Sequence, residues 1–448
     1  MNEPVVVLAA GKGTRMQSSL PKVLHPVCGK PMISYVLDVA ETVSGNDIIV
    51  VVPKENDQIK DIVGNSVAYA VQDEPVGTAD ALLSARQLLT GHKNVVVMSA
   101  DVPLVSAELI SLLISTHKET DACLTLITAD VEDPNGLGRI IRKSDRSISK
   151  VVEHDDASVE ELAISEINAG IYIFDTSWLW DVLPKVPKSK SGEVYLTSLV
   201  EYGSVDNKPI AAVKADNEYE VLGINNQVQL SVAEGCMREE INRTFMLNGV
   251  TISDPKSVYI DSDVVIGSGT IINPNTHILG KSKIAARSEI GPNTVIKNVV
   301  IGNECKIESS YLSDSNVDNG VSVGPFSNIR ANTLLASNVR VGNFVEIKNS
   351  RVSENTRILH HSYIGDAAIG KNVNIGAGSI TCNFDGSRKN HTEIGDSAFI
   401  GSSTMMIAPV KIGIAAKTGA GSVITTDVPD GVSVMGVPAR ITKRIKEE

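Results

Sequence analysis

The stretch YIDSDVVIGSGTIINPNTHILGKSKIAARSEIGPNTVIKN, residues 259–298, places isoleucine at Ile260, Ile266, Ile272, Ile278, Ile284, Ile290 and Ile296. A spacing of six fits neither the 3.6-residue turn of a helix nor the simple alternation of a strand. Three six-residue faces make one triangular coil, in which each of these side chains points into a shared interior. After a one-residue shortening the spacing resumes as Val323, Ile329, Leu335, Val341 and Ile347. After another it resumes as Ile394, Ile400, Met406, Ile412, Thr418 and Ile424. So many repeats exclude chance and predict a solenoid from about Gly249 onward. Between Thr381 and Ile394 the insertion CNFDGSRKNHTE breaks the period and is expected to project as a loop. The tail ITKRIKEE reads as a short, solvated, charged end.

Working back toward the N-terminus, NQVQLSVAEGCMREEINRTFML (226–247) has helical spacing and no proline, and reads as a linker helix. Before it, short apolar runs alternate with helical patterns, as in a parallel sheet with crossover helices. VVVLAA, DIIVVV, NVVVMSA and ACLTLIT are the expected strands, and Pro31–Thr42 and Thr78–Leu89 the expected helices, with Thr78 capping the second. The predicted organisation is therefore α/β plus all-β. A Rossmann-like α/β domain spans 1–226, a linker helix 227–248, and a parallel β-helix of hexapeptide repeats 249–448.

The totals agree with this organisation. Aromatic residues make up only 4% of the 448-residue chain, as suits a solenoid layered with small aliphatic side chains. A net charge of -12 disfavours nucleic acid and anionic membranes as partners, so any phosphate site must be local. The five cysteines form no C-x-x-C pair, which argues against a zinc ribbon or a disulfide framework and fits a reducing cytoplasm. MNEPVVVLAA does not read as a signal peptide, and no run of about 18 apolar residues suggests a membrane span.

LAAGKGTRM follows the first strand and sets Gly11, Lys12, Gly13, Thr14 and Arg15 at the strand-to-helix tip. It is neither G-x-G-x-x-G nor a Walker A loop. Its glycines allow close backbone approach to a phosphate chain, its amides donate, and Arg15 adds charge. LPKVLHPVCGKPM then supplies Lys22. Together with QDEPVGTADA, SADVPL, GLGRI, VEH, EINAG and LGINN, this order of motifs resembles the bifunctional N-acetylglucosamine-1-phosphate uridyltransferase/glucosamine-1-phosphate N-acetyltransferase family, whose β-helix is left-handed.

The resemblance implies that Leu8, Ala9, Ala10, Gly11, Lys22 and Gly77 contact the nucleotide, that Gln72 and Thr78 read uracil, and that Gly138, Glu153 and Asn168 hold the amino sugar. It implies Mg²⁺ on Asp101 and Asn225, with Arg15 and Lys22 neutralising charge as the sugar phosphate attacks the α-phosphorus of UTP. The chain departs from the family at Ser99, at Ala100, whose methyl is expected to crowd the nucleotide, and at Asp80, where His is usual.

In the second half the resemblance implies an acetyltransferase acting on glucosamine-1-phosphate with acetyl-CoA as co-substrate. Arg330 and Lys348 lie eighteen residues apart, one full coil, so two cations stack on one face as a phosphate site. The resemblance adds Tyr363 and Asn374 to the acceptor site. His360 is the implied general base, a task suited to imidazole, and His361 beside it is structural. Ala377, Asn383, Phe384, Ser402, Ala420 and Arg440 are the implied acetyl-CoA contacts, with Asn383, Ser402 and the Ala377 amide orienting the amine or steadying the oxyanion. Phe384 in place of Tyr, and RAN in place of R-P-G, are departures. A homotrimer with shared acetyltransferase sites follows by resemblance. The alternatives are a single-activity nucleotidyltransferase whose β-helix only trimerises, and a hexapeptide-repeat assembly protein that binds nucleotide sugar.

Overall fold

The computed structural model describes residues 3–444 apart from 56, 75, 190 and 191, and it divides into two compact units, Met1–Met237 and Arg238–Glu448.

In the first unit, β-branched runs form the interior of a sheet covered on both faces, where continuous apolar strands are expected. The strand order is Ile210–Lys214, Leu124–Asp130, Glu166–Asp175, Asn94–Ser99, Val5–Leu8, Ile48–Pro53 and Ala68–Gln72. The expectation of an all-parallel sheet needs correction. Glu166–Asp175 runs antiparallel to both its neighbours, and it also carries the hairpin Arg139–Arg142/Ile148–Val152. From Val5–Leu8 the chain first adds strands on one side, then crosses to place Asn94–Ser99 on the other. That reversal opens a crevice beyond the carboxyl ends of these two strands, where ligands of such sheets bind.

The expected helices are Met32–Ser44 and Thr78–Ser84, the latter followed by a 3-10 turn at Arg86–Leu89. Thr78 does not cap its helix. The cap position is Gly77, and Thr78 Oγ1 instead accepts from the Leu196 amide at 2.9 Å. Gly77 has φ 128°, and a Cβ there would stand 2.4 Å from the Val194 carbonyl oxygen, so no other residue fits.

In the second unit three parallel sheets wrap one apolar column, as a left-handed β-helix. Ile260, Ile278, Ile296, Leu312, Ile329, Ile347 and Ile364 stack in register on one face. The repeat shortens more often than its spacing suggests. Ile301, Leu312 and Val317 each close a five-residue face between Ile296 and Val323, and Val352 and Ile369 do so after Ile347. Single deletions are absorbed at corners because the buried residue of each face stays opposite its predecessor.

The helix Gln227–Leu247 begins where Asn226 Oδ1 accepts from the Gln229 amide at 2.9 Å. Its first half contributes Ala233, Leu230 and Met237 to an apolar cluster of the first unit. Its second half lays Ile241 and Phe245 on the first coils of the β-helix, and buried Asn242 donates to the carbonyls of Pro255 and Val258 at 3.0 and 3.1 Å. At the other end the tail is solvated as expected, with Ile441 and Thr442 exposed, and it is also paired. Ala439–Arg444 forms a strand antiparallel to Val432–Gly436; the remainder, 445–448, lies outside the described residues.

Ile347 has no exposed surface and sits mid-column. Ile347→Ala should destabilise the β-helix by about 2–5 kcal/mol. Both tryptophans, Trp178 and Trp180, belong to the first unit. Denaturation followed by circular dichroism should therefore move to lower urea while the tryptophan-fluorescence transition stays in place.

Candidate functional site

In the first unit a cleft of about 760 Å³ opens at the carboxyl ends of Val5–Leu8 and Asn94–Ser99. Leu8, Ala10, Gly11, Arg15, Lys22, Gln72, Gly77, Thr78, Asp101, Glu153 and Asn225 all line it. Ala9 does not; it is buried in the core. The glycine loop turns at Gly13, φ 58°, where a Cβ would fall 2.5 Å from Lys22 Cβ. The loop can therefore lie directly on Lys22 only with glycine there.

Charge converges at the loop's edge. Lys22 Nζ donates to Asp101 Oδ2 and, at 2.7 Å, to Asn225 Oδ1, which also accepts from Arg15 Nη2 at 2.9 Å. Backbone places these groups together: the Ile224 amide donates to the Asp101 carbonyl at 2.9 Å, and the Asn225 amide donates to Gln229 Oε1 at 2.8 Å. Among the described residues no cluster of three or more His, Cys, Asp or Glu is arranged for a metal. Asp101 and Asn225 nevertheless aim two oxygens at one ammonium, so the pair fits a hard cation that takes its remaining ligands from phosphate and water.

Glu153 is held by Thr197 Oγ1, which donates at 2.7 Å, and its carboxyl lies next to Gly138. Burial pushes the Glu153 carboxyl above its usual range, partly offset by the Thr197 bond and reinforced by Asp156, Glu193 and Asp155. The Asn168 amide donates to the Gly138 carbonyl at 2.9 Å, Asn168 Nδ2 donates to Tyr172 at 2.7 Å, and Asn168 Oδ1 is buried without a partner. Gly138, Glu153 and Asn168 thus form one polar corner. Ser99 lines the cleft, whereas Ala100 is 1% exposed in the core. The expected crowding by its methyl is therefore not found.

In the second unit the parallel register sorts outward residues into columns. Asn343, His360, Ala377, Ser402 and Ala420 follow one another up one corner. Each carbonyl in turn accepts from the next coil, through the amides of His361, Gly378, Ser403 and Gly421. His360 Nδ1 meets Asn343 Oδ1 at 2.7 Å. With an oxygen accepting there, Nδ1 carries the proton and Nε2 keeps its lone pair. His361 turns away and stacks on Phe344, centroids 5.0 Å apart.

Arg330 and Lys348 occupy adjacent coils, as the Arg330 amide donating to the Ile347 carbonyl shows. Arg330 pairs with Glu346 at 2.6 Å. Lys348 is held below the ordinary lysine range by Lys389 and then by Arg330, opposed by Asp366, so the face gathers cations with acidic neighbours among them. Lys389 was not predicted. The insertion folds back through a bridge between Phe384 and Lys389, with Asp385 accepting from Ser387, Arg388 and Asn390, and so returns Lys389 to the face. The basic pair in SRKN was its only sequence signal. Asn383 is 7% exposed and donates to Asp366 at 2.5 Å and to the Tyr363 hydroxyl at 3.4 Å. Asn343 was also missed, although counting back one 17-residue coil from His360 finds it. Asn374 lies in register with Arg357 and Phe399, Phe384 is exposed, and Arg440 sits on the last strand.

Because a carboxyl with a raised folded pKa stabilises only while protonated, wild type loses that contribution as pH rises through the folded value. Glu153→Gln should therefore raise the tryptophan-monitored melting temperature at pH 8 and leave it nearly unchanged at pH 4. An equal shift at both would show that burial of the ionised carboxylate is not what the substitution relieves.

Comparison with known proteins covers both units. The family model of the MobA-like NTP transferase domain matches residues 5–158, and that of the bacterial transferase hexapeptide (six repeats) matches residues 263–298. The bifunctional protein GlmU of Exiguobacterium sibiricum is 43% identical over 445 residues, 99% of each chain. That of another Exiguobacterium is 45% identical over 432 residues, 96% of each. That of Halalkalibacterium halodurans is 42% identical over 436 residues, 97% of this chain and 96% of the relative. With identity of this level over nearly the whole chain, both units included, the chain belongs to the bifunctional GlmU family.

Proposed function

We propose that the chain catalyses two successive steps of UDP-N-acetylglucosamine synthesis. The β-helix, 249–448, acetylates glucosamine-1-phosphate with acetyl-CoA. The first domain, 1–226, transfers UMP from UTP to N-acetylglucosamine-1-phosphate and releases pyrophosphate. The helix between them, 227–248, is the linker. The observation that carries this reading is that each unit holds its own set of reactive groups: Arg15, Lys22, Asp101 and Asn225 at a glycine loop, and His360 on Asn343 in a column beside the cations Arg330, Lys348 and Lys389.

For uridylyl transfer the protein has little covalent work to do. Positioning and charge neutralisation dominate, with Arg15 and Lys22 facing the phosphates and Glu153 and Asn168 fixing the sugar hydroxyls. Mg²⁺ held by Asp101 and Asn225 would supply further neutralisation of phosphate charge.

For acetyl transfer the phosphate of glucosamine-1-phosphate rests on Arg330, Lys348 and Lys389, with Tyr363 and Asn374 orienting the sugar. The amine attacks the thioester carbonyl carbon as His360 Nε2 takes its proton. The carbon–sulfur bond then breaks, and the thiolate leaves and is protonated. Asn343 fixes the imidazole tautomer. Ala377, Asn383, Phe384, Ser402, Ala420 and Arg440 are assigned to acetyl-CoA. The protein acts as a cytoplasmic homotrimer, since the flat faces of a β-helix suit packing side by side. Among the described residues no helix is long and apolar enough to cross a membrane.

Assays following free thiol and pyrophosphate separately test the pairing. Asp101→Ala should lower pyrophosphate release about a hundredfold or more and leave thiol release intact. His360→Ala should cut thiol release by roughly two to four orders of magnitude with pyrophosphate release unchanged, and His361→Ala should cost far less. Equal loss of both activities in a folded variant would sink the two-site reading. In sedimentation, the species should have three times the chain mass of 47.6 kDa.

A further inference from the structure

Gln72 ends the strand Ala68–Gln72, and Asp80 lies in the first turn of the helix Thr78–Ser84. Gln72 is only 4% exposed, yet it lines the nucleotide cleft. Its Nε2 donates to Asp80 Oδ2 at 2.8 Å and to the Gly77 carbonyl at 3.1 Å. A side-chain amide has two hydrogens and one carbonyl oxygen, so both donors are committed. Rotating the amide by half a turn would press Oε1 against a carboxylate and a carbonyl. Its orientation is therefore fixed, and Oε1, which accepts no hydrogen bond among the described residues, is the group left for a ligand.

We infer that Asp80 is a specificity-determining positioning residue. It locks Gln72 so that the cleft offers a hydrogen-bond acceptor to the base, selecting a pyrimidine whose ring N3 carries a hydrogen. This rests on the uridylyl-transfer reading above. Uracil presents N3–H; cytosine presents a lone pair at N3, which would face Oε1 and leave a buried acceptor unpaired. Histidine, the residue expected at this position by resemblance, can donate or accept according to its tautomer. A carboxylate only accepts, so this chain has a one-way lock where the resemblance leads one to expect a two-way group.

The test compares kcat/KM for UTP and CTP, read by pyrophosphate release, in wild type, Asp80→Ala and Asp80→Asn. Wild type should prefer UTP. Asp80→Ala frees one amide hydrogen and should narrow the UTP-to-CTP ratio about tenfold, the size of one lost neutral hydrogen bond, chiefly through KM for UTP. Asp80→Asn retains an accepting oxygen and should restore the ratio. Tryptophan fluorescence checks folding; if Asp80→Ala does not fold, Asp80→Ser, too short to reach the amide, carries the same expectation. An unchanged ratio in the shortened variant, or an Asn variant that behaves like it, overturns the role of Asp80 and leaves uridylyl transfer standing. A wild type that prefers CTP overturns both.

Discussion

Coil-on-coil hydrogen bonding in parallel register is the constraint from which the second unit follows. Once Ile329 is opposite Ile347 and Ile347 opposite Ile364, every outward residue has a fixed neighbour one strand spacing away, about 4.8 Å. Outward chemistry is thereby arranged in columns rather than scattered. One column carries Asn343, His360, Ala377, Ser402 and Ala420; another sets Arg330 beside Lys348. Residues separated by a coil of sequence become adjacent without any loop having to fold around them. The insertion after Thr381 is the exception, and it brings Lys389 to a place that the register alone does not fill.

The first unit solves the same problem differently. Its reactive groups come from loops at the ends of strands, and the pair Arg15 and Asn225 meets across 210 residues of sequence. What holds them is backbone bonding between loops, such as the Ile224 amide on the Asp101 carbonyl, together with a glycine that lets its loop rest on Lys22. A chain with a net charge of -12 therefore concentrates Arg15 and Lys22 at one edge of one cleft. Local geometry, not the overall balance, decides where a phosphate can bind.

Much of this is legible in the residues. Isoleucine at every sixth position admits few folds, and the motifs from LAAGKGTRM onward, EINAG excepted, contribute to the cleft lining because they sit at strand ends. What stayed illegible has particular causes. The antiparallel course of Glu166–Asp175 depends on tertiary pairing that an apolar run does not encode. Thr78 has the composition of a cap, but its hydroxyl is taken by the Leu196 amide from 118 residues away. Ala100 follows a strand end, and nothing local says that its methyl faces inward. Lys389 lies in an insertion, where the period that locates everything else is suspended. Asp80 looked like a departure from a pattern, and only the amide of Gln72 gives it meaning.

Both ends of the β-helix carry a partial cover. The helix residues Ile241 and Phe245, with Asn242 bonded to the carbonyls of Pro255 and Val258, cover the first coils, and Ala439–Arg444 closes the last sheet by running against it. A stack of parallel strands with bare ends would template further strands from other copies, as amyloid does. Here the helix over the first coils and the antiparallel strand on one of the three sheets narrow that end-on route.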